Sequence, residues 1–302
     1  MAVIPDHDFN RLYENKILPG LRAAESVRRK IILNYTIIGT VAFAGFVVEA
    51  MTWMLIAITA IILFIILYTR WYSIPVSKFE KIYTEAISSN VVGYISSALQ
   101  IDRNSHISLS ALQQAMIISG TPENFGGQYL IHGNPNGISL QISEINSETK
   151  MIGDTGEENM HQYFNGLVAI ASMPVNMKGA ILISSENQIE KNLASLTSKV
   201  KISGEGENEL IMHSADDSGS QQFISAELTN KLQSYIQSTK NNIVFSIYPS
   251  GISLAILQPK GFHYLEPSVF RSAYTKQAAE KYYRDLQFVV QTILMVAGAI
   301  RK

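Results

Sequence analysis

One stretch decides how this chain is organised: IILNYTIIGTVAFAGFVVEAMTWMLIAITAIILFIILYT, residues 31–69, in which Glu49 is the only charged side chain. A single helix through the whole stretch would be about 58 Å long, whereas the hydrocarbon core of a bilayer is about 30 Å thick. Two spans that meet near Glu49 fit this thickness, and they place the carboxylate among lipid headgroups rather than in hydrocarbon. The sequence therefore predicts a transmembrane helical hairpin over residues 31–70. A hydrophobic hairpin buried in a soluble core is the alternative.

The charges that flank this stretch predict its orientation. Basic side chains precede the first span and follow the second, and none lies at the tip: Arg22, Arg28, Arg29, Lys30, Arg70, Lys78 and Lys81. Because cytoplasmic flanks are enriched in Lys and Arg, we expect both the N- and the C-terminus in the cytosol. Trp53 near the tip and Trp71 at the other end are typical of residues at the two membrane interfaces.

Composition excludes several classes of function. With 24 basic and 25 acidic residues the chain has a net charge of -1. A nucleic-acid partner is therefore not predicted, because binding one requires a basic surface that neutralises phosphates. It contains no cysteine, which excludes disulfides, zinc–thiolate sites and cysteine nucleophiles.

Helical periodicity surrounds the apolar stretch. Residues 1–30 are predicted to form a cytosolic helix that Pro19-Gly20 should kink or break. Residues 71–125 are predicted to be a cytosolic helical segment, with a helix that starts at Pro75 and runs to about Leu99.

From about Gly126 the pattern changes to short runs rich in Ile, Val and Leu between turn residues. Strands are predicted within 128–131, 137–145, 166–171, 179–184, 209–214, 243–248 and 251–257, the last two forming a hairpin about Pro249-Ser250-Gly251. Ser225 is predicted to cap a helix between strands. The fold class is therefore α+β: a transmembrane hairpin followed by a cytosolic antiparallel-sheet domain, residues 126–270, with flanking helices.

Residues 271–302 are predicted to form a C-terminal packing helix. Its apolar part, Leu286 to Ala297, has about 12 residues and is too short to span a bilayer. We expect this part to pack on other helices or to touch the membrane surface.

A search for chemistry yields no catalytic, cofactor-binding or metal-binding residues and no cofactor. The six histidines are scattered, and Glu158-Asn-Met-His161 is a single E-x-x-H in an acidic, loop-like stretch, more typical of a solvated face than of a metal site. Asp216-Asp217 lacks the further ligands of a calcium loop. A hydrolase hypothesis can be attached only to Glu144 or His161, the ionisable groups beside glycine-rich turns.

The order of short motifs along nearly the whole chain resembles a bacterial family of two-span membrane proteins, domain of unknown function 3137. The motifs are Phe9…Ile17-Leu-Pro19…Arg29, Phe125-Gly-Gly, Ile142-Ser-Glu144, Phe164-Asn-Gly166-Leu, Ser225-Ala-Glu-Leu, Ile252-Ser-Leu-Ala-Ile, Leu265-Glu-Pro-Ser268 and Tyr282-Tyr283-Arg-Asp-Leu286. The resemblance implies no activity. It implies the bacterial inner membrane and, because such genes often neighbour those of LemA-type membrane proteins, a conceivable LemA-type partner.

These observations favour a membrane-anchored scaffold or protein-binding module that faces the cytosol. Its partners would be the lipid bilayer and a protein, either a LemA-type protein or a second copy of the chain. A membrane-tethered enzyme, a lipid-handling module based on the C-terminal helix, and a subunit of a structural oligomer such as a channel are the alternatives.

Overall fold

A computed structural model of the chain describes residues 6–49, 74–118, 120–152, 158–185, 198–203, 209–214 and 223–301. The chain divides into two compact units. We call Met1–Tyr94 with Tyr264–Tyr282 the helical unit, and Ile95–His263 with Tyr283–Lys302 the sheet unit. Each unit therefore combines two stretches that are distant in sequence.

The helical unit begins with α1, Asp6–Leu12, followed by a π-helical turn, Tyr13–Ile17, and by α2, Leu18–Glu49. Of the kink or break expected at Pro19-Gly20, the break does not occur, because α2 runs through both residues. Proline has no N–H to donate to the preceding turn, and the helix widens that turn instead, so that the Leu18 N–H donates to the Tyr13 carbonyl. A Cβ on Gly20 would lie 2.5 Å from the Cβ of Ala86, so glycine is the residue that permits this close approach.

The third helix, α3, spans Ile74–Ile95 and has Pro75 in its first turn, as predicted. It ends before Leu99, the first residue of strand β1, so the helical prediction for 71–125 is too broad. The buried side chains of the unit recur at helical spacing and include Leu12, Ile17, Leu21 and Ala24 from the N-terminal helices and Phe79, Tyr83, Ile87 and Val91 from α3.

The described residues of the sheet unit form nine antiparallel strands in the order β1-β2-β3-β4-β9-β8-β5-β7-β6. The strands are β1 Leu99–Asp102, β2 Asn124–Gly133, β3 Ser139–Ile152, β4 Glu158–Ser172, β5 Ile181–Ser184, β6 Ser198–Ser203, β7 Leu210–Ser214, β8 Ile243–Tyr248 and β9 Gly251–Leu257. The predicted α+β class with an antiparallel sheet and flanking helices is confirmed. β1 and β6, the two edge strands, were not predicted, because neither is an apolar run of its own.

The further helices are α4 Leu109–Gln114, α5 Ala226–Thr239 and α6 Lys276–Ile300, the last of which begins in the helical unit and continues into the sheet unit. One face of the sheet packs Ile145, Val168 and Val244 against Leu112 and Ala115 at α4. Ser225 caps α5 as predicted, its hydroxyl accepting from the Leu228 N–H at 3.1 Å. The apolar part of α6 is buried, as a packing helix requires: Leu286, Val289, Val290, Ile293, Val296 and Ala297.

The predicted membrane hairpin is not confirmed. Within the described residues, the structure contains no helix whose length and apolar character suffice to cross a membrane. α2 extends over the first predicted span, whereas the second, residues 50–69, lies outside the described residues. The hairpin stays a prediction.

Candidate functional site

The most unusual surface of the helical unit is the part of α2 beyond Ile31. Ile31 is 2% exposed, but the apolar side chains that follow are far more open: Ile32 37%, Leu33 60%, Tyr35 53%, Ile37 44%, Val41 61% and Phe43 71%. At 100° per residue these positions are distributed around the whole helix rather than on one stripe. A helix that is apolar on all sides is normally covered, by protein or by lipid.

Immediately before this exposed part, a buried carboxylate ties α2 to a distant loop. Glu25 accepts two hydrogen bonds from Arg28, at 2.7 and 2.8 Å, one from Arg29 at 3.2 Å and one from the Ala273 N–H at 3.0 Å. Arg28 also donates to the carbonyl of Val269 at 3.0 Å. The hydrogen bonds from Arg28 lower the pKa of Glu25 to about 2, because they favour the charged carboxylate more strongly than burial disfavours it.

The loop held in this way, Ser268–Tyr274, exposes aromatic side chains, and we call it the aromatic loop. Val269 and Ala273 are buried, whereas Phe270 is 72% and Tyr274 44% exposed. The ring of Phe270 contacts Tyr35 of α2 edge to face, with centroids 6.4 Å apart and planes at 87°. The loop thus extends the exposed apolar surface of α2 at its beginning.

In the sheet unit, a carboxylate and an imidazole form a partly buried pair. Glu144 on β3 is buried, and one of its oxygens lies 2.9 Å from Nδ1 of His263, whose side chain is 34% exposed. A carboxylate on Nδ1 fixes the orientation of the ring and leaves Nε2 for another partner. This is an arrangement that can transfer protons if a substrate reaches it.

Asn165 holds the segment that carries His263, and a second asparagine lies opposite it in the sheet. The Asn165 amide nitrogen donates to the carbonyls of Pro259, at 2.7 Å, and Phe262, at 3.2 Å. Asn165 lies directly opposite Asn146, which is two residues from Glu144 and therefore on the same face of β3. Each asparagine keeps a buried side-chain oxygen that accepts no hydrogen bond from the described residues.

The hydrolase hypothesis names Glu144 and His161, and Glu144 belongs to this pair. Glu144 lies opposite Leu167 on β4, and His161 lies six residues before Leu167 on the same strand, opposite Thr149. The two are therefore not brought together. The partner of Glu144, His263, is 119 residues away in the sequence and was missed, since no local pattern connects the two positions.

The candidate metal motifs do not gain support. Glu158-Asn-Met-His161 begins β4 rather than forming the expected loop, and its spacing suits a di-iron site only on a helix. Asp216 and Asp217 lie outside the described residues. Among the residues that are described, no group of three or more His, Asp or Glu could hold a metal ion.

A groove of about 770 Å³ opens at the end of α6. It is lined by apolar side chains from the last turns of α6, Leu294, Met295, Val296 and Ile300, and by the start of α5, Ser225 and Glu227. Apolar walls with a polar border are typical of a surface that binds another molecule.

The architecture defines an α+β protein with one antiparallel sheet and flanking helices. Residues 162–296, which run from β4 into α6, match the family described as "Protein of unknown function (DUF3137)". The match supports the family resemblance predicted from the sequence over this part of the chain. No curated protein matches the chain. The crystal structure of the mycobacterial trehalose monomycolate transport factor A, TtfA, is similar over 68% of this chain and 94% of that chain, with 7% identity and a TM-score of 0.35. A likeness of this size carries no argument about function.

Proposed function

We propose that this protein is a scaffold anchored in the bacterial inner membrane by the hairpin of residues 31–70, with a cytosolic domain that binds a protein partner. One observation carries the proposal: beyond Ile31, α2 exposes large apolar side chains on all sides. Complete burial of a large apolar side chain is favourable by roughly 1.5–3 kcal/mol, and lipid would bury the 37–71% of each side chain that is open here. The same helix enters the sequence stretch whose length suits two spans.

The basic residues that flank the hairpin support a cytosolic position for both termini. Arg29 is largely exposed immediately before the first predicted span, with 74% of its side chain open, and therefore suits a cytoplasmic headgroup region. The polar hairpin tip at Glu49 would lie on the opposite side.

The groove at the end of α6 is the surface that best suits a protein partner. Leu294 and Met295 are only partly buried, and methionine adapts to the shape of a partner better than branched side chains do. The partner would be a LemA-type membrane protein, as the family resemblance suggests, or a second copy of this chain.

Photocrosslinking in membranes tests this function. A photoreactive amino acid at Met295 should give one crosslinked adduct of defined mass, and the same group at the exposed Lys260 is the matched control. A Leu294→Arg substitution should reduce the Met295 adduct several-fold. Adducts that are equal at both positions, or the recovery of the protein alone in several detergents, would contradict the scaffold proposal.

A membrane-tethered hydrolase is the second candidate, favoured by the Glu144–His263 pair. His263→Ala should then abolish hydrolysis of ester or amide substrates by the purified protein, whereas His132→Ala should leave it unchanged. Equal activity in the two variants would remove this candidate. The lipid-handling alternative loses part of its basis, since most apolar side chains of α6 are buried.

A further inference from the structure

We infer that the aromatic loop, Ser268–Tyr274, is a second membrane contact, in which Phe270 enters the boundary between lipid headgroups and acyl chains beside the first span. This inference rests on the proposed membrane anchor and goes beyond it, because residues 268–274 lie far from the hairpin in sequence. The partner surface is the bilayer itself.

The aromatic loop is attached to α2 just before the predicted first span. Two hydrogen bonds hold the loop on either side of its exposed tip: Arg28 to the Val269 carbonyl at 3.0 Å, and the Ala273 N–H to Glu25 at 3.0 Å. Both α2 residues lie within two turns before Ile31, where the predicted span begins. The tip of the loop is therefore held at the level of the membrane–water interface that the proposed anchor defines.

Phe270 lies at a depth, measured along α2 from the start of the predicted span, that suits an interfacial side chain. Its ring contacts Tyr35, four residues beyond Ile31, which corresponds to about 6 Å along the helix axis. Apolar side chains of interfacial segments typically enter about 5–10 Å into the headgroup–acyl boundary. Phe270 is 72% exposed, a large cost in water that burial in this layer would remove.

The other exposed side chains of the aromatic loop and its internal hydrogen bonds also suit a membrane interface. Arg271 and Tyr274 are exposed beside Phe270, and a guanidinium and a phenol are side chains that suit phosphate headgroups and the interface. The Arg271 N–H donates to the Ser268 carbonyl at 3.1 Å, and the Phe270 N–H to the Ser268 hydroxyl at 3.3 Å, so the turn is formed before it meets lipid. Little conformational entropy would be lost on insertion.

Single-cysteine labelling tests the inference, because the chain contains no cysteine of its own. Phe270→Cys, Glu266→Cys and Ile37→Cys variants of the full chain would each carry an environment-sensitive NBD label in vesicles of phosphatidylcholine and phosphatidylglycerol. Glu266 is exposed just before the loop and serves as the aqueous control, and Ile37 reports on the first span.

We expect labels at 270 and 37 to show blue-shifted emission and several-fold stronger quenching by spin-labelled lipid than the label at 266. A label at 270 that is as water-exposed as that at 266, with the label at 37 in lipid, would overturn the inference and leave the membrane anchor intact. A label at 37 in water would overturn the anchor itself, and the inference with it.

Discussion

At the scale of single residues, Glu25 has the most consequential interactions of the helical unit. It is 4% exposed, and its hydrogen bonds with Arg28, Arg29 and Ala273 lower its pKa from 4.5 to about 2. A carboxyl whose pKa is lower in the folded than in the unfolded state stabilises the fold above the unfolded pKa. This stabilisation is therefore full above about pH 4.5 and is lost as the pH falls towards 2.

We predict that Glu25→Gln lowers the free energy of unfolding by about 3 kcal/mol at pH 7. The difference from the parent protein should shrink as the pH falls below 4.5, since the parent then loses the same charge. Urea unfolding in detergent micelles across this pH range measures both effects. Glu266→Gln, at an exposed position, should change stability by less than about 0.5 kcal/mol. A difference that stays constant with pH would refute the electrostatic explanation.

The Glu144–His263 pair makes a second residue-scale prediction. His263→Ala should lower the free energy of unfolding by about 1–3 kcal/mol, because it removes a hydrogen bond to a buried carboxylate. In a double-mutant cycle, Glu144→Gln and His263→Ala should couple by roughly 1 kcal/mol. The same cycle with His132→Ala should be additive, and additivity for His263 as well would mean that the contact contributes nothing.

Neither of these residue pairs could be read from the sequence. Glu25 contacts Ala273 across 248 residues and Glu144 contacts His263 across 119, so no spacing rule relates them. The sequence marks Glu144 and His161 alike, as ionisable groups beside glycine-rich turns, although His161 lies six residues from the β4 position opposite Glu144. Residue type alone does not identify which charges the fold brings together.

At the scale of elements, the Phe125-Gly126-Gly127 motif of β2 contains two glycines with different roles. A Cβ on Gly127 would lie 2.5 Å from the Glu144 carbonyl oxygen and 2.8 Å from the Cβ of His106. A Cβ on Gly126 would meet nothing within 4 Å. Only Gly127 is therefore required for the close approach of β2 to β3.

We predict that Gly127→Ala destabilises the protein by about 1–3 kcal/mol, because β3 backbone must move to admit the methyl group. Gly126→Ala, the matched control one residue away, should be neutral within about 0.5 kcal/mol. Thermal unfolding of the two variants, with hydrogen exchange of the β2 and β3 amides, measures the difference. Equal effects would show that the contact at Gly127 is not what limits the substitution.

Elements with a strong local pattern were predicted well, and elements without one were not. The Ser225 cap and the hairpin of β8 and β9 follow from turn and capping chemistry that acts within a few residues. β1 has four residues and pairs with β2 about thirty positions later, so its strand character comes from its partner. α2 continues through Pro19 because a π-helical turn precedes it, and the residue types in that turn do not predict a π-helix.

At the scale of the whole molecule, the two units do not follow linear boundaries. Residues 264–282 belong with the N-terminal helices although they follow the last strand of the sheet, and 283–302 return to the sheet unit. The expected boundaries at 125 and 270 follow changes of sequence period along the chain. The spacing of apolar residues along the sequence reflects local secondary structure. A compact unit is instead defined by contacts between segments that are distant in sequence, such as the hydrogen bond from Arg28 to the Val269 carbonyl.

The predicted hairpin determines on which side of a membrane each part of the chain lies. If residues 31–70 form a hairpin, the residues that precede and follow it must face one compartment, and Glu49 must face the other. Single cysteines at Lys260, Glu266 and Tyr94, all exposed, should react with a membrane-impermeant maleimide in inverted vesicles but not in intact spheroplasts. A cysteine at Glu49 should show the opposite pattern. Reaction of Glu49 and Lys260 from the same side would rule out the hairpin, because a chain that crosses lipid twice cannot present its tip and its sheet unit to one compartment.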